Sequence, residues 1–270
     1  MEKQPMSDRN EAARARLLQR LDEIVQSAIA SGHALAVLAL GSSGRELDRV
    51  DEYSDLDLWV IAEDGYQQDF LVNMDWIHAA SPIVHQHKHG LTGYSIVFED
   101  GIFAEVDAFE LPDLSALEFA EARIAWKRPE IPDTIRFAQK ETKRWQRTVD
   151  ELVGEALGNL YVGLGRFHRG EKLTAMRFIQ VYAVDRLLEL AHLLETEQPA
   201  WPDIYGNERR FEKRFPGLAA VLPRLLQGYE RSPESAQVML EFLDEHFTVN
   251  PALKAAIISR YKPAGPDKQA

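Results

Sequence analysis

The chain has 270 residues, 45% of them apolar, with a formal net charge of −12 and no cysteine. This composition suits one large or two ordinary globular domains, and it excludes general disorder, disulfides and thiolate metal sites. Acidity without a long basic stripe disfavours nucleic acid as a partner. Because no apolar run approaches membrane-spanning length and the charged N-terminal stretch lacks a secretory signal, we expect a cytoplasmic protein with no membrane partner.

The first half of the chain predicts helices mixed with strands. Apolar residues at helical spacing predict a helix over 8–30 that ends near Gly32, and a second helical segment is expected over 66–80. Short apolar or alternating runs, one of them followed by the hairpin signal Asp100-Gly101, predict the strands. The predicted strands are, in chain order, 34–40, 56–62, 83–89, 93–99 and 102–111.

The pattern changes near Pro129 and Pro132, and the sequence after them is nearly all helical in character. The predicted helices are 133–168, 171–196, 217–228, 234–246 and 251–261. We therefore expect a mixed helix-and-strand domain over residues 1–130 and a helical domain over residues 131–270.

Two aspartates, Asp55 and Asp57, stand on alternate residues at the start of the strand predicted over 56–62. Residues i and i+2 of a strand point to the same face, so the two carboxylates project together. Side by side they repel each other, which favours a divalent cation between them. Oxygen ligands suit Mg²⁺, which completes its shell with water and substrate phosphates. The alternative is a pair of solvated aspartates at an exposed strand start.

A Gly-Ser pair, Gly41-Ser42, directly follows the strand predicted over 34–40. Glycine lets the backbone approach a ligand closely, and Ser42 offers a hydroxyl and an N–H to phosphate oxygens. Alone, such a pair is usually a turn. Here the Gly-Ser pair and the aspartates lie at opposite ends of one loop between two strands expected to be neighbours, so both would face one cleft.

A third carboxylate is available on the strand predicted over 102–111, where Glu105 and Asp107 share one face. Either one could complete a metal site and accept a proton from an attacking hydroxyl. A polar sheet face is the alternative, and the sequence leaves the choice between the two residues open. Arg45, in the loop after the Gly-Ser pair, could donate to a triphosphate or be a solvated arginine.

Other candidates are weaker. Lys172 and Arg177 open the second long helix and could reach β- and γ-phosphates, although cations near a helix end also suit the helix dipole. Glu155 could act as a base in an acceptor pocket, with a solvated polar face as the favoured alternative. The alternating histidines of HQHKH (85–89) are interpreted as a surface edge strand rather than a metal site.

The segment GSSGRELDRVDEYSDLDLWV (41–60) resembles the motif of the polymerase-beta nucleotidyltransferase superfamily: Gly-Ser, a loop, Asp-x-Asp and a later strand carboxylate. Gly41, Ser42, Asp55 and Asp57 match it residue by residue. Over roughly residues 35–195, the chain is especially similar to small-molecule antibiotic nucleotidyltransferases of the lincosamide type. The resemblance implies an α+β fold, with a mixed-sheet catalytic domain followed by an all-helical substrate-binding domain.

The resemblance also implies an activity. A Mg²⁺-dependent enzyme would transfer a nucleoside monophosphate from an NTP, expected to be ATP, to a hydroxyl of a small molecule and release pyrophosphate. The acceptor would be a lincosamide or an aminoglycoside, and the metal ligands would be Asp55, Asp57 and Asp107. A homodimer is one arrangement that the resemblance allows.

Two alternatives remain. The chain could be a non-catalytic protein that senses nucleotide on the same fold, although the intact carboxylate set argues against a purely binding role. It could also nucleotidylate a protein, whereas the acidic balance disfavours an RNA end as the acceptor.

Overall fold

The structure is a computed structural model that describes residues 6–138, 147–200 and 206–261. It divides into two compact units, Met1–Lys143 and Arg144–Ala270. The strands of the described residues lie in the first unit, and the second consists of helices and their connections. The predicted α+β fold is confirmed.

A six-stranded sheet forms the centre of the first unit, in the order β3-β4-β5-β2-β1-β6. Only β2 and β5 pair in parallel among these neighbours, so the sheet is mixed as predicted. The strands are β1 (Ala34–Leu40), β2 (Leu56–Ala62), β3 (Ile83–His89), β4 (Gly93–Phe98), β5 (Phe103–Glu110) and β6 (Arg123–Lys127).

One face of the sheet is apolar and covered by helices. The helices of this unit are α1 (Met6–Ala30), α2 (Gln67–Val72) and α3 (Asp75–His78). Leu21 and Ile24 of α1 are buried in the same cluster as Leu58 and Val60 of β2. Burying each such side chain contributes about 1.5–3 kcal/mol, so this face anchors β2 firmly.

The opposite face of β2 changes character along the strand. Its later part is covered by the segment 111–138, and Trp59 packs edge-on against Phe109 and Phe119 with ring centroids 4.9 and 4.7 Å apart. Asp57, two residues earlier on the same face, remains only half-buried. The strand therefore begins with carboxylates on an open surface and ends in a core.

The second unit consists of helices whose buried apolar residues form one cluster. Its helices are α4 (Val149–His168), α5 (Lys172–Met176), α6 (Ala183–Leu194), α7 (Phe211–Arg214), α8 (Pro216–Ala219), α9 (Leu222–Leu225), α10 (Ser232–His246) and α11 (Pro251–Ile258). A π-helical turn, Arg177–Tyr182, joins α5 to α6. Within the described ranges, none of the helices has the length and apolar composition needed to cross a bilayer.

Three sequence predictions need correction. Strand β6 was not predicted, because it is a five-residue edge strand whose side chains are all half-buried and show no alternation. The helix predicted over 133–168 begins at Val149, where Thr148 accepts a hydrogen bond from the Glu151 N–H in a capping box. Asp133–Arg136 is a 3₁₀ turn, and residues 139–146 lie outside the described residues.

The third correction concerns the helix predicted over 217–228. It is broken into α8 and α9, and the segment ends at Gly228, whose φ of +93° lies in the left-handed region. Pro223 stands in the first turn of α9, where its missing N–H is tolerated but would interrupt a longer helix.

Candidate active site

The Gly-Ser turn and the aspartates meet, because β1 and β2 are antiparallel neighbours. Leu40, the last residue of β1, is opposite Asp57 in the register. Gly41 follows with a φ of +54°, and a Cβ added there would lie 2.5 Å from Asp57 Oδ2. Position 41 thus needs glycine both for its backbone conformation and for the space that the Asp57 carboxylate occupies.

Ser42 carries an unsatisfied polar group. Its side chain is buried, and its Oγ makes no hydrogen bond within the part of the chain that the structure describes. A buried hydroxyl without a partner costs about 1–3 kcal/mol, which a ligand oxygen or an ordered water would recover. The neighbouring Ser43 hydroxyl instead donates to the Leu40 carbonyl at 3.0 Å.

Arg123, which sequence analysis did not single out, fixes this turn from the edge strand β6. Its Nε donates to the carbonyls of Ser43 and Gly44 at 3.1 and 3.0 Å, and its Nη2 donates to Ser43 at 2.8 Å. Burial lowers the pKa of the Arg123 guanidinium. An isolated arginine between apolar residues gives no sequence signal for this role, because the contact depends on pairing between β1 and β6.

Two carboxylates, Asp57 and Glu105, share the open part of the sheet face, and Asp55 is influenced by the charge of Glu105. Asp57 is opposite Glu105 in the parallel register of β2 and β5, so their side chains share one face. Burial is the main cause that raises the pKa of Asp55, and the negative charge of Glu105 adds to it. A backbone hydrogen bond and, to a smaller extent, the charge of Arg49 oppose this shift but do not reverse its direction. The fold therefore holds Asp55 where its charged form is unfavourable.

Asp107 lies in a different environment from Glu105. It is opposite Trp59 rather than Asp57. One of its oxygens accepts a hydrogen bond from Thr92 Oγ1 at 2.8 Å, and the other is 3.3 Å from His89 Nε2. Its carboxylate is thus engaged by neighbours on the β3–β4 side of the sheet.

A cleft of about 420 Å³ opens beside the loop that contains Arg45. Its charged lining residues are Arg45, Arg123, Lys127, Asp133 and Arg136. Glu121 pairs with Arg45 and, at 3.4 Å, with Arg136, while Lys127 lies 3.3 Å from Asp133. Four cations against two carboxylates leave the cleft net positive, which favours an anionic ligand.

The remaining candidates lie in the second unit. Lys172 pairs with Glu230 at 2.5 Å, which raises the lysine pKa, and Arg177 lies over the Tyr182 ring at 5.7 Å in the π-helical turn. Glu155 is paired with Arg186 at 2.9 Å, which weakens its case as a free base.

The described residues contain no ready-made group of three or more His, Asp or Glu side chains that could hold a metal ion. Mg²⁺ does not require one, because it is usually bound by one or two carboxylates together with waters and substrate phosphates. The desolvated Asp55 and the Asp57 carboxylate held against Gly41 fit that kind of site. The unsatisfied Ser42 hydroxyl fits the accompanying phosphate.

The raised pKa of Asp55 predicts how stability depends on pH. Above its unfolded-state value of 3.8, Asp55 is charged in the unfolded chain while the fold disfavours that charge, so its ionisation lowers the free energy of unfolding. We expect Asp55→Asn to be more stable than the wild type at pH 7 in EDTA, by urea denaturation. The difference should shrink as the pH falls through the raised pKa of folded Asp55 and disappear below 3.8, where Asp55 is protonated in both the folded and the unfolded chain.

Asp48→Asn provides the control, because Asp48 is an exposed residue of the same loop. It should change the free energy of unfolding little at either pH. An Asp55→Asn variant that is no more stable than the wild type at pH 7 would contradict the assigned cost of burial.

No protein-family model matches the chain, and no curated protein matches it. Among solved structures, it is similar to an aminoglycoside 6-adenyltransferase from Bacillus subtilis, with 13% identity over 92% of this chain and 93% of that chain and a TM-score of 0.32.

Proposed function

We propose that the protein is a nucleotidyltransferase that transfers a nucleoside monophosphate from an NTP to a hydroxyl of a small molecule. The observation that carries this proposal is the contact between the Gly-Ser turn and the carboxylates: Gly41 leaves room for Asp57, and Asp57 is opposite Glu105. The motif resemblance agrees with it. The proposed donor is ATP, and the proposed acceptor is an antibiotic of the lincosamide or aminoglycoside type.

Asp55 and Asp57 would hold Mg²⁺, with Glu105 as the third carboxylate. Glu105 is preferred over Asp107 because it is opposite Asp57 in the sheet and acts electrostatically on Asp55. When bound, Mg²⁺ would neutralise negative charge on the phosphate oxygens. Asp107 would then lie beside the metal site, in contact with Thr92 and His89.

The phosphates would bind at the Gly-Ser turn. The Ser42 hydroxyl, buried and lacking a partner among the described residues, would donate to a phosphate oxygen. Arg123 keeps the turn in shape through its bonds to Ser43 and Gly44. Arg45 and the cationic cleft beside it would attract the negatively charged end of the triphosphate.

The proposed chemical step is an in-line displacement. The acceptor hydroxyl attacks the α-phosphorus in line, its O–P bond forms, and the bond to the pyrophosphate oxygen breaks. Glu105 takes the proton of the attacking hydroxyl. Lys172 and Arg177 stay proposed phosphate contacts of the helical unit, and acceptor binding by that unit is likewise part of the proposal.

The first test is pyrophosphate release by purified protein with Mg²⁺, each common NTP and a panel of lincosamides and aminoglycosides. We expect acceptor-dependent release, and Asp57→Asn should lower its rate by on the order of 10²-fold or more, because a few kcal/mol of charge stabilisation is lost. Asp48→Asn, in the exposed part of the same loop, should retain the wild-type rate. Mg²⁺-dependent nucleotide binding without release would instead favour the non-catalytic sensor or a different acceptor, such as a protein.

The second test uses two glycines with similar backbone conformations. Gly41 and Gly65 have φ values of +54° and +82°, but a Cβ at Gly65 would meet nothing within 4 Å. Alanine at either position should cost about 1 kcal/mol of stability, from the left-handed backbone. Only Gly41→Ala should also weaken binding of Mg²⁺·ATP, measured by calorimetry, because the new methyl group displaces the Asp57 carboxylate. Equal binding by the two variants would argue against Asp57 as a ligand.

A further inference from the structure

Polar side chains continue across the sheet from the three carboxylates. In the register of β3, β4 and β5, Ser95 is opposite Glu105, and Gly93 is opposite both His89 and Asp107. Residues paired in this way share a face, so these side chains project on the same side as Asp57.

These side chains form a hydrogen-bonded chain that ends at Glu105. Ser95 Oγ donates to Glu105 Oε1 at 3.3 Å and is 3.0 Å from His89 Nδ1. His89 Nε2 is 3.3 Å from Asp107, which accepts from Thr92. Because a serine hydroxyl has a single proton, donation to Glu105 requires that its oxygen accept a hydrogen bond from His89 Nδ1.

Gly93 makes this series of hydrogen bonds possible, because it has no side chain. A Cβ at position 93 would lie 2.5 Å from His89 Nε2 and closer still to Asp107 Oδ1. Without a side chain there, the His89 ring reaches across β4 from the edge strand β3 to β5. Ser95 is 2% exposed, so its hydroxyl is confined to these partners, whereas Glu105 itself is exposed.

We infer that Ser95 and His89 are positioning residues for Glu105. An exposed glutamate has several side-chain rotamers, and the Ser95 hydroxyl favours those that keep one carboxylate oxygen on the sheet beside Asp57. His89 in turn orients the Ser95 hydroxyl by donating from Nδ1. Asp107, which Thr92 holds in place, accepts from Nε2 as well only when the ring carries a proton on both nitrogens. The inference rests on the proposed function, in which Glu105 acts as the third carboxylate, and it gives Asp107 a supporting rather than a metal-binding role.

A purely structural role for His89 makes a different prediction. If the ring only covers the backbone at Gly93, then His89→Phe should leave Mn²⁺ binding unchanged. If the ring acts through Nδ1, then His89→Phe should weaken Mn²⁺ binding. His89→Asn should retain that binding, because its amide can donate from a similar position. His87→Phe is the matched control, since His87 is an exposed residue on the same face of β3 whose ring faces His85.

The experiment measures Mn²⁺ affinity by electron paramagnetic resonance, in the presence of a non-hydrolysable ATP analogue, together with kcat and the KM of the acceptor. We expect Ser95→Ala and His89→Phe to weaken Mn²⁺ binding about 10-fold, the range found for residues that orient metal ligands. The acceptor KM should stay unchanged, and His89→Asn and His87→Phe should remain near the wild type. Wild-type affinity in His89→Phe, or an equal loss in His87→Phe, would overturn the inference.

A second measurement separates this inference from the proposed function. If the wild type binds no Mn²⁺ with the analogue, the proposed function fails. A double-mutant cycle between Ser95→Ala and Glu105→Gln, measured on the free energy of unfolding, then tests the hydrogen bond between these two residues by itself. Non-additive losses would support the hydrogen bond from Ser95 to Glu105. Additive losses would show that Ser95 does not hold Glu105, and the inference would be wrong.

Discussion

Negative charge crowded onto one face of two neighbouring strands is the constraint on which the rest of the first unit depends. Asp57 and Glu105 are placed side by side by the parallel pairing of β2 and β5. The pKa of Asp55, which directly precedes β2, is raised chiefly by burial, and the negative charge of Glu105 adds to that shift. Like charges this close destabilise a fold unless a cation or a proton compensates them. Such an arrangement is expected where stability is given up for binding, as the proposed metal-dependent function requires.

The remainder of the unit keeps these carboxylates from moving apart. The helix-covered face of the sheet is apolar, so β2 cannot shift by one residue without exposing Leu58 and Val60 and burying charge. At the end of β1, the three hydrogen bonds of Arg123 fix the turn that contains Ser42. A sheet that is anchored by an apolar core on one face, and that carries polar side chains on an uncovered part of the other face, can hold a site in a single geometry.

Much of the fold and of the candidate site could be predicted from the sequence, because the signals are local. The alternation around Asp57 and the glycine after β1 are patterns of a few residues, and the strands that carry them lie where periodicity placed them. The missing parts depend on contacts between distant segments. Arg123 acts through strand β6, which is too short to show alternation, and the helix expected from residue 133 is displaced because Ile135 is buried in the first unit.

Glu105 and Asp107 show why periodicity alone could not define the candidate site. Both residues lie on one face of β5, and a period of two cannot distinguish them. The register does, because it places Glu105 opposite Asp57 and Asp107 opposite Trp59. One more strand away, the absence of a side chain at Gly93 lets a histidine reach Asp107. Two carboxylates that look equivalent in sequence thus acquire different neighbours only when the strands pair.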